Sequence, residues 1–297
     1  MSLAYQQFFL FCVIYILLGW GLYLPYKAGQ FTWAAAFCMS GGAYFAAYAS
    51  TAWHWPFLVC MLASMVVGAV LALIPALGLR TAPTFATVVA SLAVIFILQS
   101  TYRNWRAVGG AAGIFGIPRP SALLPVAFVL LVVIGVIINR LDHSRLGRAA
   151  NALFVNRDVA GSLGVGMGSV SVAFQTAAGV LGAPAGGLYA FGVGSVFPDA
   201  FGANLLVIGC APLFVGGTST LWGVVIMVPI LWGVPLAVPG YIAQWKDIII
   251  GVVLIAVLLV RPEGLITRAT LRAIEGSFGT GWRFLGRLRR EDASHLS

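Results

Sequence analysis

The chain has 297 residues, 61% of them hydrophobic and only 8% charged, with a mean hydropathy of +0.99. A soluble domain of that length could not cover its surface with so few charges, so the composition excludes one and describes a polytopic membrane protein. The formal charge of +9 comes from 17 Lys and Arg against 8 Asp and Glu; the arginines gather in one central interval and after residue 260, the signature of cytoplasmic loops rather than of nucleic-acid binding.

A helix needs about 20 apolar residues to cross a bilayer. Runs of that kind fall near 6–25, 31–50, 56–78, 83–102, 121–139, 168–192, 201–216, 221–240 and 244–260, which predicts an all-α protein of about nine spans, eight to ten at the limits. MSLAYQQ carries no Lys or Arg ahead of the first run and no small-residue cleavage site follows it, so that run is read as a span and not as a signal peptide. The second run contains Ser40, Gly41 and Gly42 among small residues, a composition that lets backbones approach closely and tolerates a broken helix.

In the fourth run, Thr84, Thr87 and Ser91 lie three and four residues apart on one helical face, with Gln99 two turns further on. The Gly-rich interval 103–120 that follows is expected to fold back against the bundle.

Between the fifth and sixth runs lies the longest polar interval, Arg140 to Gly164, RLDHSRLGRAANALFVNRDVAGSLG. Leu146, Ala149, Ala150, Ala152, Leu153, Ala160 and Leu163 recur in it at helical spacing, which predicts a short cytoplasmic helix or helix pair that docks another protein. Lys27 and Arg80 then fall on the same side, and Arg103, Arg106 and Arg119 on the other.

The sixth run combines Gly179, Gly182, Gly186 and Gly187 with Ala183 and Pro184, a face built for tight helix contact, and carries Gln175 and Thr176 near its start. The seventh ends in GGTSTLWG, where Gly216, Gly217, Thr218 and Gly223 mark a break before the chain turns apolar again. Interrupted spans of this kind are expected of a transporter core. Past Arg261-Pro262, the spacing of Leu271, Ile274, Phe278, Trp282 and Leu285 among arginines predicts an amphipathic helix on anionic membrane lipid. The domain reading is a permease unit at 1–263, with its docking loop at 140–166, and a basic tail at 264–297.

Much ordinary chemistry is missing. Every Asp and Glu lies in a loop, at a span end or in the tail, so no proton- or sodium-coupling site is visible at membrane depth. There is no G-x-x-x-x-G-K-[ST] phosphate loop. Ser219 has no His or Asp at similar depth to activate it, which argues against an enzyme. Cys12, Cys38, Cys60 and Cys210 stand at no metal-ligand spacing, and neither a metal nor a cofactor is expected in this chain. What remains inside is neutral: Trp33, Ser40, Thr84, Thr87, Ser91, Gln99, Gln175 and Thr176 are the candidate pathway residues.

Six separated stretches carry a resemblance: AGQFTWAAAFCMSGGAYFAAY at 28–48, LRTAPTFATVVASLAVIFILQ at 79–99, GGAAGIFGIP at 109–118, SRLGRAANALFVNRDVAGSLGVG at 144–166, FVGGTSTLWG at 214–223 and RPEGLI at 261–266. In this order they resemble the permease subunits of branched-chain (hydrophobic) amino-acid ABC importers, the LivM/LivH-like family, over nearly the whole chain. The resemblance implies a multi-pass protein of the bacterial inner membrane with a cytoplasmic C-terminus. Its implied partners are a second, homologous permease subunit, two ATPase subunits that hold ATP and Mg, and a periplasmic binding protein that delivers the solute.

By the same resemblance, Arg145, Leu146, Gly147, Arg148 and Ala149 form one half of the ATPase-coupling element, and Asn156, Arg157, Asp158, Ala160 and Gly164 the other. Asp158, Val159, Ala160 and Gly164 fit, with substitutions, the E-A-A-x-x-x-G spacing of importer permeases. One departure stands out. Where related chains read S-L-G-H/Q-A-A-F, this one has Trp33 in place of a small residue and Ala34 in place of a polar one, so the cargo stays open between branched-chain amino acids and urea, short amides or aromatic acids. Two rival readings are a sugar-type ABC permease and an ATP-independent carrier or facilitator.

Overall fold

The computed structural model describes residues 3–218, 220–237, 246–261 and 264–265. Ser219 and the tail read above as an amphipathic helix lie outside the described residues. Each of the nine apolar runs is a helix, and the central polar interval is a pair of short ones. In chain order they are α1 (Leu3–Lys27), α2 (Ala34–Ala52), α3 (Phe57–Gly78), α4 (Thr84–Asn104), α5 (Leu123–His143), α6 (Arg145–Val155), α7 (Arg157–Ser162), α8 (Met167–Val193), α9 (Ala203–Gly216), α10 (Leu221–Ala237) and α11 (Lys246–Val260). Among the described residues five of these, α1, α3, α4, α5 and α8, are long and apolar enough to cross a membrane; α9 to α11 are apolar but shorter. The protein is therefore an all-α, multi-pass membrane protein.

Helix α8 is the axis of the bundle. It packs along α2, α3 and α1, and it is buried over most of its length, as is α1, whereas α3, α4 and α5 leave most of theirs exposed. That pattern is the reverse of a soluble protein's, because an apolar outer layer is what lipid requires. The tight core comes from small residues: a Cβ on Gly182 would overlap the backbone carbonyl of Ala35, one on Gly186 that of Met39, and one on Gly42 that of Ala183. Helices can approach this closely only where a side chain is absent, and in an apolar solvent such packing is a main source of helix association.

At one end of the bundle the Gly-rich interval folds back as expected. Ile114–Phe115 pairs antiparallel with Ser195–Val196, in the register Ile114 to Val196 and Phe115 to Ser195. At the other end the α1–α2 connector, the α3–α4 turn and the α6–α7 pair lie together.

Gly182→Ala or Gly186→Ala should therefore destabilise the detergent-solubilised protein by about 1–3 kcal/mol each, the usual cost of overpacking, read as a lower melting temperature. Gly78→Ala, whose Cβ would meet nothing within 4 Å, should leave it unchanged.

Candidate functional site

The site forms around the connector Ala28–Trp33, where the chain leaves α1 and has not yet entered α2. Pro25 has no N–H and accepts from both Ala28 and Gln30, at 3.1 and 3.0 Å, which closes the turn. Gly29 has φ +73, a left-handed conformation, and a Cβ there would stand 3.2 Å from Leu153 O and Phe154 Cα. Glycine is thus required twice over, by the backbone and by the contact with the C-terminal end of α6.

A non-helical stretch at the end of an apolar bundle must find partners for its freed backbone groups. The Gly29 carbonyl accepts from the Thr84 hydroxyl at 3.3 Å and from Arg157 Nη2, and the same Nη2 donates to Thr84 Oγ1 at 2.6 Å. The Trp33 N–H donates to Ser91 Oγ at 3.1 Å. Two helices other than its neighbours in sequence, α4 and α7, therefore hold the connector.

Gln30 turns inward. Its side chain is 2% exposed, and its Oε1 accepts from Ser171 Oγ and, at 3.0 Å, from Gln175 Nε2; Ser171 and Gln175 are each 3% exposed. Gln175 Nε2 also donates to Ser171 Oγ at 3.0 Å. This three-residue polar cluster joins the connector to the first turns of α8. Gln30 Nε2, Trp33 Nε1 and Thr176 Oγ1 are buried without a hydrogen-bond partner, an unusual concentration of unmet polar demand in one region.

An aromatic chain runs beside it. Phe154 of α6 lies 5.7 Å from Tyr26, Tyr26 lies 6.3 Å from Phe214 of α9, and Phe31 lies 5.8 Å from Phe214 and 4.9 Å from Trp33, ring centre to ring centre. Phe214 stands just before the break at Gly216 and Gly217. There Gly216 packs on the backbone of Gly223, Gly264 (φ +84) packs on Gly217, and the Leu265 N–H caps the end of α9 on the Val215 carbonyl at 2.9 Å. The glycine of the RPEGLI stretch thus closes the broken span. Thr218 lies at the surface of this break, partly exposed.

The expected coupling residues divide into two sets. Arg145, Leu146, Arg148, Asn156, Asp158 and Gly164 are exposed, whereas Gly147 and Ala160 are buried and Ala149 is half-buried. The small residues at 147 and 160 serve the protein's own packing: a Cβ on Gly147 would overlap the carbonyls of Leu141 and Asp142. Asn156 caps α7, accepting from the N–H groups of Asp158 and Val159 at 3.0 and 3.2 Å. Arg157 points back into the bundle, and beside the exposed charged residues the pair also exposes apolar side chains, Val155 at 83% and Leu163 at 77% with Leu146, Phe154 and Val159.

Among the candidate pathway residues, Thr84, Ser91 and Trp33 meet at the connector and Gln175 beneath it. Thr87 and Ser40 satisfy themselves within their own helices, on Pro83 O at 3.3 Å and Phe37 O at 2.7 Å. Gln99 lies at the opposite end, bonded to Pro198 O at 3.3 Å beside the exposed Arg103–Asp199 pair. Sequence reasoning missed Gln30, Ser171 and the ion pair of Lys27 with Asp142. Gln30 and Lys27 read as ordinary loop polarity between two apolar runs, although a Gln in a six-residue connector with Gly ahead of it and aromatics behind is a usable signal.

The fold defines a multi-pass, all-α membrane protein. A family model described as "Branched-chain amino acid transport system / permease component" matches residues 5–258, and the chain belongs to that family. Comparison with curated proteins and with solved structures gives no match. Members of the family are generally parts of ABC transporter complexes.

Arg157→Ala removes two bonds and leaves the Gly29 carbonyl with Thr84 alone, at a cost of about 1–3 kcal/mol. The melting temperature should fall accordingly, with Arg157→Lys intermediate. Ser162→Ala, whose exposed hydroxyl bonds only its own helix at Val159 O, should leave it unchanged.

Proposed function

We propose that this chain is the membrane-spanning subunit of an ATP-driven importer, in which all nine apolar helices cross the bacterial inner membrane and the C-terminus is cytoplasmic. The observation that carries the reading is the α6–α7 pair: it exposes apolar side chains at Leu146, Phe154, Val155, Val159 and Leu163 together with the charged Arg145, Arg148 and Asp158, while Arg157 bonds it to the connector. Exposed apolar and charged side chains side by side suit a groove on a partner protein. The partner is an ATPase subunit, two of which serve a pair of homologous permease chains.

Coupling then follows from linkage. ATP can bias the permease only through elements that the ATPase binds differently in its two states. The α6–α7 pair is that element, and Arg157 passes its displacement to the connector, to Gln30 and so to α8. The permease needs no strong charged site of its own, because a periplasmic binding protein selects and delivers the solute. The cargo is a branched-chain or other hydrophobic amino acid, or a small neutral relative such as urea, an amide or an aromatic acid. The unit at 1–263 carries transport, with the loop at 140–166 as its docking element, and the tail from 264 lies on anionic lipid through its arginines.

Uptake into vesicles should require the ATPase subunits, the binding protein and ATP, and should survive collapse of proton and sodium gradients. Concentrative uptake by this chain alone, abolished by an ionophore, would overturn the reading in favour of a secondary carrier. Cysteines placed at Arg148 and Asp158 should crosslink to the co-expressed ATPase; failure at both, with crosslinks from the tail instead, would remove the docking assignment.

A further inference from the structure

A second tie joins the same two parts of the protein. Lys27, the last residue of α1, and Asp142, in the last turn of α5, form an ion pair with Nζ to Oδ1 at 2.5 Å and side chains only 6% and 15% exposed. The Tyr23 hydroxyl donates to Asp142 Oδ2 at 3.3 Å, and Lys27 Nζ lies 6.0 Å from the centre of the Tyr23 ring. Asp142 stands two residues before Ser144, whose hydroxyl caps α6 by accepting from the Gly147 N–H at 3.2 Å. Lys27 stands two residues before Gly29, whose carbonyl takes Arg157.

The two ties run in opposite senses. In one, a cation at the end of α1 reaches the root of α6; in the other, a cation at the start of α7 reaches the connector that follows α1. A buried ion pair is a poor way merely to hold two helices together, because its desolvation roughly cancels its attraction and an apolar pair of equal volume would do as well. What the charges add is direction, since the pair holds only in one register.

We propose that Lys27 and Asp142 are positioning residues of the transport cycle: they fix the root of α6 against the start of the connector, so that displacement of the α6–α7 pair moves Gln30 and the start of α2 rather than bending the α5–α6 corner. The inference rests on the importer reading above.

The test uses the complete reconstituted transporter, with uptake, ATP hydrolysis and melting temperature measured on each variant. The paired substitution Lys27→Met with Asp142→Leu keeps the volume and removes the charges. It should melt close to the unsubstituted protein and still support ATP hydrolysis, while solute moved per ATP falls about tenfold, within the usual range of coupling energies. The exchange Lys27→Asp with Asp142→Lys should recover most of that ratio. ATP-dependent uptake with an unchanged ratio in the apolar pair would make the ion pair merely structural and overturn the inference alone. If the apolar pair fails to insert, the exchange decides: a folded exchange variant that hydrolyses ATP without uptake overturns the inference, and one with a normal ratio supports it. Uptake that needs no ATP in the unsubstituted transporter would overturn the importer reading, and this inference with it.

Discussion

The carbonyl of Gly29 sets the terms for one end of this protein. A chain that breaks its helix at the rim of an apolar bundle frees backbone groups that neither lipid nor neighbouring leucines can satisfy. Here the break between α1 and α2 is met by Thr84 from α4 and Arg157 from α7. Because those partners are distant in sequence, satisfying one backbone group also ties three parts of the chain into a unit. Arginine suits this position because a single guanidinium nitrogen serves both the carbonyl and the hydroxyl.

The rest of the bundle supplies contrast. Helix α8 lies backbone to backbone on α2 at Gly182, Gly186 and Gly42, a contact that cannot slide by small steps because each glycine fits one carbonyl. The connector by contrast holds two buried polar atoms without partners, Gln30 Nε2 and Trp33 Nε1. Unmet polar demand beside a rigid core is the arrangement expected where a protein exchanges one set of bonds for another. The aromatic chain from Phe154 through Tyr26 to Phe214 links the broken end of α9 to α6 and the end of α1.

Much of this was legible in the sequence, and the part that was not has a physical cause. Each apolar run near span length coincides with a helix among the described residues, because hydrophobicity over about 20 residues is a strong signal. The Gly-rich stretch at 109–118 did fold back, and RLGRAANALFV and RDVAGS did form two helices. Orientation was harder. That Gly147 and Ala160 belong to the central helices was legible, but not that Gly147 packs on the protein's own carbonyls and Ala160 is buried, while Val155 and Leu163 are exposed. The hydroxyls of the fourth helix looked alike in sequence, but Thr87 bonds only its own helix, Thr84 donates to the connector, and Ser91 donates to Val88 O while accepting from the connector. Spacing places side chains on a face; it does not say which neighbour that face will meet.

The central claim is that the connector moves with the α6–α7 pair because Arg157 joins them. Hydrogen exchange on the assembled transporter, read peptide by peptide in the nucleotide-free and ATP-bound states, tests it most directly, since exchange reports local opening. The account predicts that protection at residues 28–33 changes together with that at 145–164 on ATP binding, and that in Arg157→Ala only the 145–164 change remains. An unaltered connector in the native transporter, while 145–164 responds to ATP, would contradict it.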